Sequence, residues 1–158
     1  MVQTTSGGYS FTVALEDEQA THRLMADIAG LIEPGDLITL SGDLGAGKTA
    51  FARAFIRHVA GDDSIEVPSP TFTLTQSYDL EHFPVVHADL YRLGHPEELN
   101  ELGFDDTPET AVMLLEWPDR AGGHLPADRL DIELTLSPPQ GETFRHAQVT
   151  GYGAFAAR

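Results

Sequence analysis

The sequence predicts an α/β fold: a mixed sheet with a parallel core, antiparallel strands toward the C-terminus, and helices on both faces. Three observations carry that prediction. A short apolar run, LITL (37–40), leads into a glycine-rich stretch and then into a helical pattern. Two segments place apolar residues at helical spacing, which argues against an all-β fold. Several further runs read as strands, which argues against a helical bundle. The order begins βαβα and ends in strands, as a parallel sheet with antiparallel additions would. The 158 residues suit a single domain spanning 1–158.

Each element follows from local pattern. SFTVAL (10–15) alternates like a strand. In DEQATHRLMADIAGLI, Leu24, Ile28, Leu31 and Ile32 recur at helical spacing, and Asp17 suits the N-cap. EPGD (33–36) is a turn, and LITL is a short buried strand. Phe51, Phe55 and Val59 mark a second helix from Lys48, which Gly61 stops. DDSIEVPSP reads as a loop. TFTLTQSY and VVHADLY read as strands joined by a turn between Asp79 and Pro84. HPEELNELGF carries Pro96 at a helix start and Gly103 at its end. AVMLLEW is a buried strand and PDRAGGHLPAD a loop. LDIELTLS alternates strictly, and PPQGE turns it into a last strand near TFRHAQV. Residues 150–158 are expected to fray. The sequence has no internal repeat and no low-complexity tract.

Composition narrows the function classes. With no cysteine there is no disulfide, Cys-ligated zinc or thiol nucleophile. No apolar stretch resembles a signal peptide or a membrane span, so the expected location is the cytoplasm. A formal net charge of −16 repels free nucleic acid and anionic membranes. A basic protein surface, or a ligand neutralised by a cation, is not repelled. Eight of the nine Lys and Arg residues are arginine, and the sole lysine is Lys48. A phosphate-binding loop needs a slim ammonium there rather than a planar fork.

Lys48 belongs to SGDLGAGKTAF, where Gly42, Gly47, Lys48 and Thr49 match G-x-x-x-x-G-K-[ST]. A strand before the motif and an amphipathic helix after it provide the context that the chemistry requires. The expected nucleotide-binding set is Gly42, Asp43, Leu44, Gly45, Ala46, Gly47, Lys48, Thr49 and Ala50. Backbone N–H groups of the loop, with the helix N-terminus, form an anion nest. Lys48 is expected to reach the β- and γ-phosphates, Thr49 Oγ1 to ligate Mg²⁺, and Ala50 N–H to meet the α-phosphate.

Two apolar strands end in acids. VVHAD delivers Asp89 and VMLLE delivers Glu116. Either can be the carboxylate that holds hydrated Mg²⁺, leaving the other to orient or deprotonate the attacking water. Singly, each is equally an ordinary surface residue; together they favour function. PSPTFTL (68–74) occupies a position where a threonine can sense γ-phosphate and Mg²⁺, and Thr71 is the candidate. A rigid loop entering a strand explains that segment equally well.

SGDLGAGKT, SPTFTL, HADLYRLGHPEELNELGF and LLEWPDRAGGHLPADRLDIEL together resemble the TsaE (YjeE) family in order and spacing. The resemblance runs from about Asp17 to about Leu136. It implies an α/β P-loop domain that hydrolyses ATP with TsaD and TsaB, in formation of threonylcarbamoyladenosine at adenosine 37 of tRNA. It further implies Lys48 and Thr49 as the P-loop pair, Thr71 as the switch threonine, and Asp89 as the acid of H-x-D-x-Y-R. Glu116–Trp117 would be its E-W pair, with Thr49 and Glu116 near Mg²⁺. Ala88 stands where many members have Phe, and TQSY replaces the commoner VNEY. Neither departure touches an expected ligand.

On residues alone, Trp117 packs either in the core or against the site. Arg92 pairs with Asp89 or meets a partner. His87 reads as a buried structural histidine, and the histidines lack metal-ligand spacing. The DEQAT segment is a candidate lining for the adenine. Two further function classes stay open: a small-molecule or nucleotide kinase, and a nucleotide sensor that does not hydrolyse. A kinase needs a basic lid, and the arginines after Arg92 are scattered. A GTPase is disfavoured because no N-K-x-D motif is present.

Overall fold

A computed structural model describes residues 2–5, 8–42, 47–68, 70, 75–91, 110–121, 128–136 and 145–153. Its strands are β1 (Val2–Thr5), β2 (Gly8–Leu15), β3 (Leu37–Ser41), β4 (Thr75–Asp79), β5 (Pro84–Asp89), β6 (Val112–Glu116), β7 (Arg129–Leu136) and β8 (Arg145–Tyr152). Its helices are α1 (Glu18–Ala29) and α2 (Lys48–Ala60), with a 3-10 turn at Pro118–Ala121. The strands form one sheet in the order β1-β2-β8-β7-β3-β6-β5-β4.

The expected mixed sheet is present. β7, β3, β6 and β5 run parallel, and the apolar runs of β3, β6 and β5 suit strands buried on both faces. β8 is antiparallel to β7 and to β2, β1 is antiparallel to β2, and β4 closes the other edge antiparallel to β5. The strictly alternating C-terminal strand therefore has two roles. β7 joins the parallel core through β3 and starts the antiparallel wing through β8. β1 was not expected from the sequence. β8 persists through Tyr152 where fraying was expected from residue 150, because the end of β8 pairs with both Gly8 and Arg129.

Period-two alternation sorts the sheet residues. Ile38, Leu40, Val85, Val112, Leu114, Leu130, Ile132 and Leu134 face one side and pack with Leu24, Met25 and Ile28 of α1 and Phe51, Phe55 and Ile56 of α2. Fully burying each such large side chain contributes roughly 1.5–3 kcal/mol. Leu37, Ala88, Leu90 and Leu115 form a smaller cluster apart from it. Both described helices thus serve the same core. The helix expected from Pro96 to Gly103 lies outside the described residues. No described helix is long and apolar enough to cross a membrane.

Asp17 caps α1 as expected: its Oδ1 accepts from Ala20 N–H at 2.8 Å. Asp17→Ala should lower stability by about 1 kcal/mol, the usual cost of losing such a cap. A chemical denaturation midpoint equal to wild type would refute the cap's contribution. α2 ends at Gly61, whose φ of 68° suits glycine. There Gly61 N–H bonds His58 O at 3.1 Å and Asp62 N–H bonds Arg57 O at 3.2 Å, a Schellman closure.

Candidate nucleotide site

The carboxyl ends of β3, β5 and β6 meet at one edge of the sheet, where open α/β sheets bind ligands. β3 runs out at Ser41 and Gly42, and α2 begins at Lys48 after Gly47. Gly47 has φ of 102°, and a Cβ built there would come within 3.2 Å of Arg145 Nε. Glycine is favoured by the backbone conformation, and a Cβ would in addition press on the Arg145 side chain. Asp43, Leu44, Gly45 and Ala46 of the loop lie outside the described residues, as do Thr71 and Arg92.

Backbone bonds lock the strand ends together. Trp117 N–H bonds Leu40 O at 3.1 Å, and Leu90 N–H bonds Glu116 O at 3.1 Å. Parallel register pairs Asp89 with Glu116 and Leu40 with Glu116. The two predicted acids thus sit side by side on adjacent strands. Both are buried, Asp89 with 5% and Glu116 with 2% of its surface exposed. Asp89 Oδ1 accepts from Tyr91 N–H at 2.9 Å.

The first turn of α2 closes on these acids. Thr49 Oγ1 lies 2.9 Å from Glu116 Oε1 and 3.2 Å from Oε2. His87, on the same strand as Asp89, places Nε2 2.6 Å from Glu116 Oε2. The burial expected of His87 is present, and its pairing with the acid is additional. Lys48 Nζ donates to Gly42 O at 2.7 Å and lies 4.1 Å from the centroid of the Trp117 ring. This is the cation–π geometry of an ammonium over an indole.

Trp117 is in contact with the site rather than in the main core. Its φ of 60° is the one left-handed value among the described non-glycine residues. That conformation costs a bulky residue on the order of 1–3 kcal/mol. The turn sets the indole against Lys48 and against Tyr91, whose ring centroid is 4.9 Å away. Arg120 Cζ then stands 5.7 Å from the Tyr91 ring.

A cleft of about 1100 Å³ opens beside the end of the loop. Asp17, Gln19 and Thr21 of the DEQAT segment line it, together with Gly47, Ala50 and Arg145. Arg145 was missed by sequence reasoning. It starts β8, and only the pairing of β8 with Leu15 and Leu136 brings it to this edge. Arg53 and Arg57 lie on α2 beyond its first turn. They bond Val67 O at 3.1 Å and Ile65 O at 2.9 Å, and so brace the segment after α2.

The donor set is chemically suited to Mg²⁺. A threonine hydroxyl and two buried carboxylates are hard oxygen ligands, and Mg²⁺ takes one or two carboxylates beside phosphates and water. Among the described residues no group of three or more His, Cys, Asp or Glu makes an all-protein metal cage.

The chain is similar to known proteins over most of its length. A family model described as threonylcarbamoyl adenosine biosynthesis protein TsaE matches residues 15–143. A Bacillus subtilis (strain 168) protein named tRNA threonylcarbamoyladenosine biosynthesis protein TsaE is 40% identical over 143 residues, covering 90% of this chain and 84% of that protein. A Rickettsia felis protein of the same name is 43% identical over 105 residues, covering 66% of this chain and 61% of that protein. With the Rickettsia conorii relative the matched share is 59%. The chain therefore spans less than two thirds of those two relatives. The crystal structure of Bacillus subtilis YdiB superposes with a TM-score of 0.73 at 27% identity, covering 97% of this chain and 93% of that one.

Proposed function

This chain belongs to the TsaE family, and on that footing we propose that it is an ATP-binding, Mg²⁺-dependent ATPase subunit. Its hydrolysis would serve formation of threonylcarbamoyladenosine at adenosine 37 of tRNA, in complex with TsaD and TsaB. One observation carries the reading: at the carboxyl ends of β3 and β6, Thr49 meets the buried Glu116, and the adjacent buried Lys48 lies on Gly42 O and over the ring of Trp117, the residue after that acid. Nothing in a purely structural turn calls for a buried lysine and a threonine–acid pair at one such place.

In this reading the loop amides and Lys48 take the phosphates. Thr49 with Glu116 or Asp89 would hold Mg²⁺, which would supply neutralisation of the charge developing on the phosphates. The other acid would position the attacking water. The cleft beside Gly47 and Ala50 has the place and size for the nucleoside. Arg145 at its wall adds a cation that can stack on a base or face the phosphates.

The net charge of −16 favours docking to a basic protein surface over contact with bare tRNA. An arginine supplied to a phosphoryl-transfer site is worth roughly 10³–10⁵ in rate, so partner dependence is expected. The test measures ATP turnover alone and with TsaD–TsaB, beside threonylcarbamoyladenosine content of tRNA from cells lacking the gene. Slow turnover alone, faster turnover in the complex and loss of the modified nucleoside are expected. Fast turnover indifferent to the partners, with normal tRNA, would leave the kinase reading in front. Nucleotide binding with no phosphate release in any mixture would leave the sensor reading.

A further inference from the structure

His87 is completely buried on β5, and its Nε2 lies 2.6 Å from Glu116 Oε2. Its Nδ1 is also buried and has no hydrogen-bond partner among the described residues. We propose that His87 is a positioning residue: its Nε2–H holds the Glu116 carboxylate from the core side and keeps it turned toward Thr49 and the phosphate loop. The consequence for catalysis rests on the reading of Glu116 as a metal or water residue; the grip itself does not.

The placement follows from the pleat. Residues 87 and 89 share one face of β5, and register pairs His87 with Leu114 and Asp89 with Glu116. His87 is therefore one step behind Glu116, diagonally across two parallel strands. Thr49 Oγ1 reaches the same carboxylate from α2. The acid is held between two groups on different elements, so neither oxygen swings freely.

A carboxylate oxygen accepts, so the grip we propose needs the hydrogen on Nε2. Nδ1 is buried without a hydrogen-bond partner among the described residues, so a hydrogen on Nε2 rather than Nδ1 strands no buried donor. A leucine or phenylalanine would fill this position without the cost of burying a polar ring. The imidazole is explained by what it does to Glu116. Partners that orient a metal-binding or catalytic carboxylate typically matter by about 10–100-fold in affinity or rate.

Two measurements test the proposal. The first needs no nucleotide. In ¹⁵N-labelled protein, the ring signals that disappear in His87→Gln are expected to report Nε2 protonated and Nδ1 bare. The Nδ1–H tautomer would overturn the proposal, whatever the protein does with ATP. The second measures Mg²⁺ dependence of ATP binding by calorimetry and single-turnover cleavage. His87→Leu should need about tenfold more Mg²⁺ and cleave about 10–100-fold more slowly, with unchanged affinity for Mg²⁺-free ATP. His87→Gln, whose amide N–H reaches the same oxygen, should recover most of both. His87→Leu indistinguishable from wild type in Mg²⁺ dependence and rate would reduce His87 to core filling. If His87→Leu does not fold, His87→Asn replaces it, because its shorter amide keeps polarity without reaching Oε2. If wild type binds no Mg·ATP, the nucleotide reading has failed, and the tautomer still decides whether His87 holds Glu116.

Discussion

Lys48→Ala is expected to weaken Mg·ATP binding by about 10²-fold or more. Hydrogen bonds to charged groups contribute roughly 1.5–3 kcal/mol each, and in the proposed reading the ammonium would serve two phosphates. Lys48 is the sole lysine, and Arg53 and Arg57 are bonded to Val67 O and Ile65 O, so neither of those arginines replaces it. The fold should survive. Lys48 is only 5% exposed, so the variant loses its contact with the Trp117 ring and its bond to Gly42 O. The ring contact is worth about 0.5–2 kcal/mol, and relief of a buried charge offsets part of that loss. Isothermal calorimetry with ATP, beside a thermal melt, separates the two effects. An ATP affinity equal to wild type would remove the phosphate-loop assignment. A collapsed melt would mean that the Lys48–Trp117 contact is structural first.

Local features of this fold were legible and distant ones were not. The strand, glycine loop and helix around Lys48 are contiguous, so their chemistry shows in one short stretch. The Asp17 cap and the Gly61 stop are equally local. Asp89 and Glu116 stood out because each ends an apolar run, and parallel register does set them side by side. Strand order is another matter. β2 pairs with β8 across nearly the whole chain, and no periodicity within either strand encodes that choice. Arg145 therefore read as one scattered arginine, although pairing brings it beside Gly47. The bond between His87 and Glu116 needed register as well as alternation. The indole over Lys48 depends on a left-handed backbone at Trp117, which its sequence neighbours do not signal.

Glu116→Gln is expected to leave ATP bound and to cut turnover by about 10²-fold or more, the usual scale for losing a general base. The amide is nearly isosteric, so packing at this 2% exposed position should hold. Its carbonyl can still accept from His87 Nε2–H, and its NH₂ can donate to Thr49 Oγ1, which now accepts. What disappears is the negative charge that would grip Mg²⁺ or take a proton from water. Asp89→Asn makes the division of labour measurable. The variant whose loss is restored by raised Mg²⁺ concentration marks the metal acid, and the one that stays slow at saturating Mg²⁺ marks the water acid. Register alone cannot divide the roles, because Asp89 and Glu116 are paired neighbours with similar burial. The contacts do distinguish them: Glu116 touches Thr49, the expected Mg²⁺ ligand of α2, whereas Asp89 accepts from Tyr91 N–H of its own strand end. Thr49 and Glu116, now bonded to each other at 2.9 Å, would together hold the metal. Glu116→Gln should then be the variant that high Mg²⁺ restores in part. Turnover equal to wild type at every Mg²⁺ concentration would return Glu116 to a structural acid held by threonine and histidine.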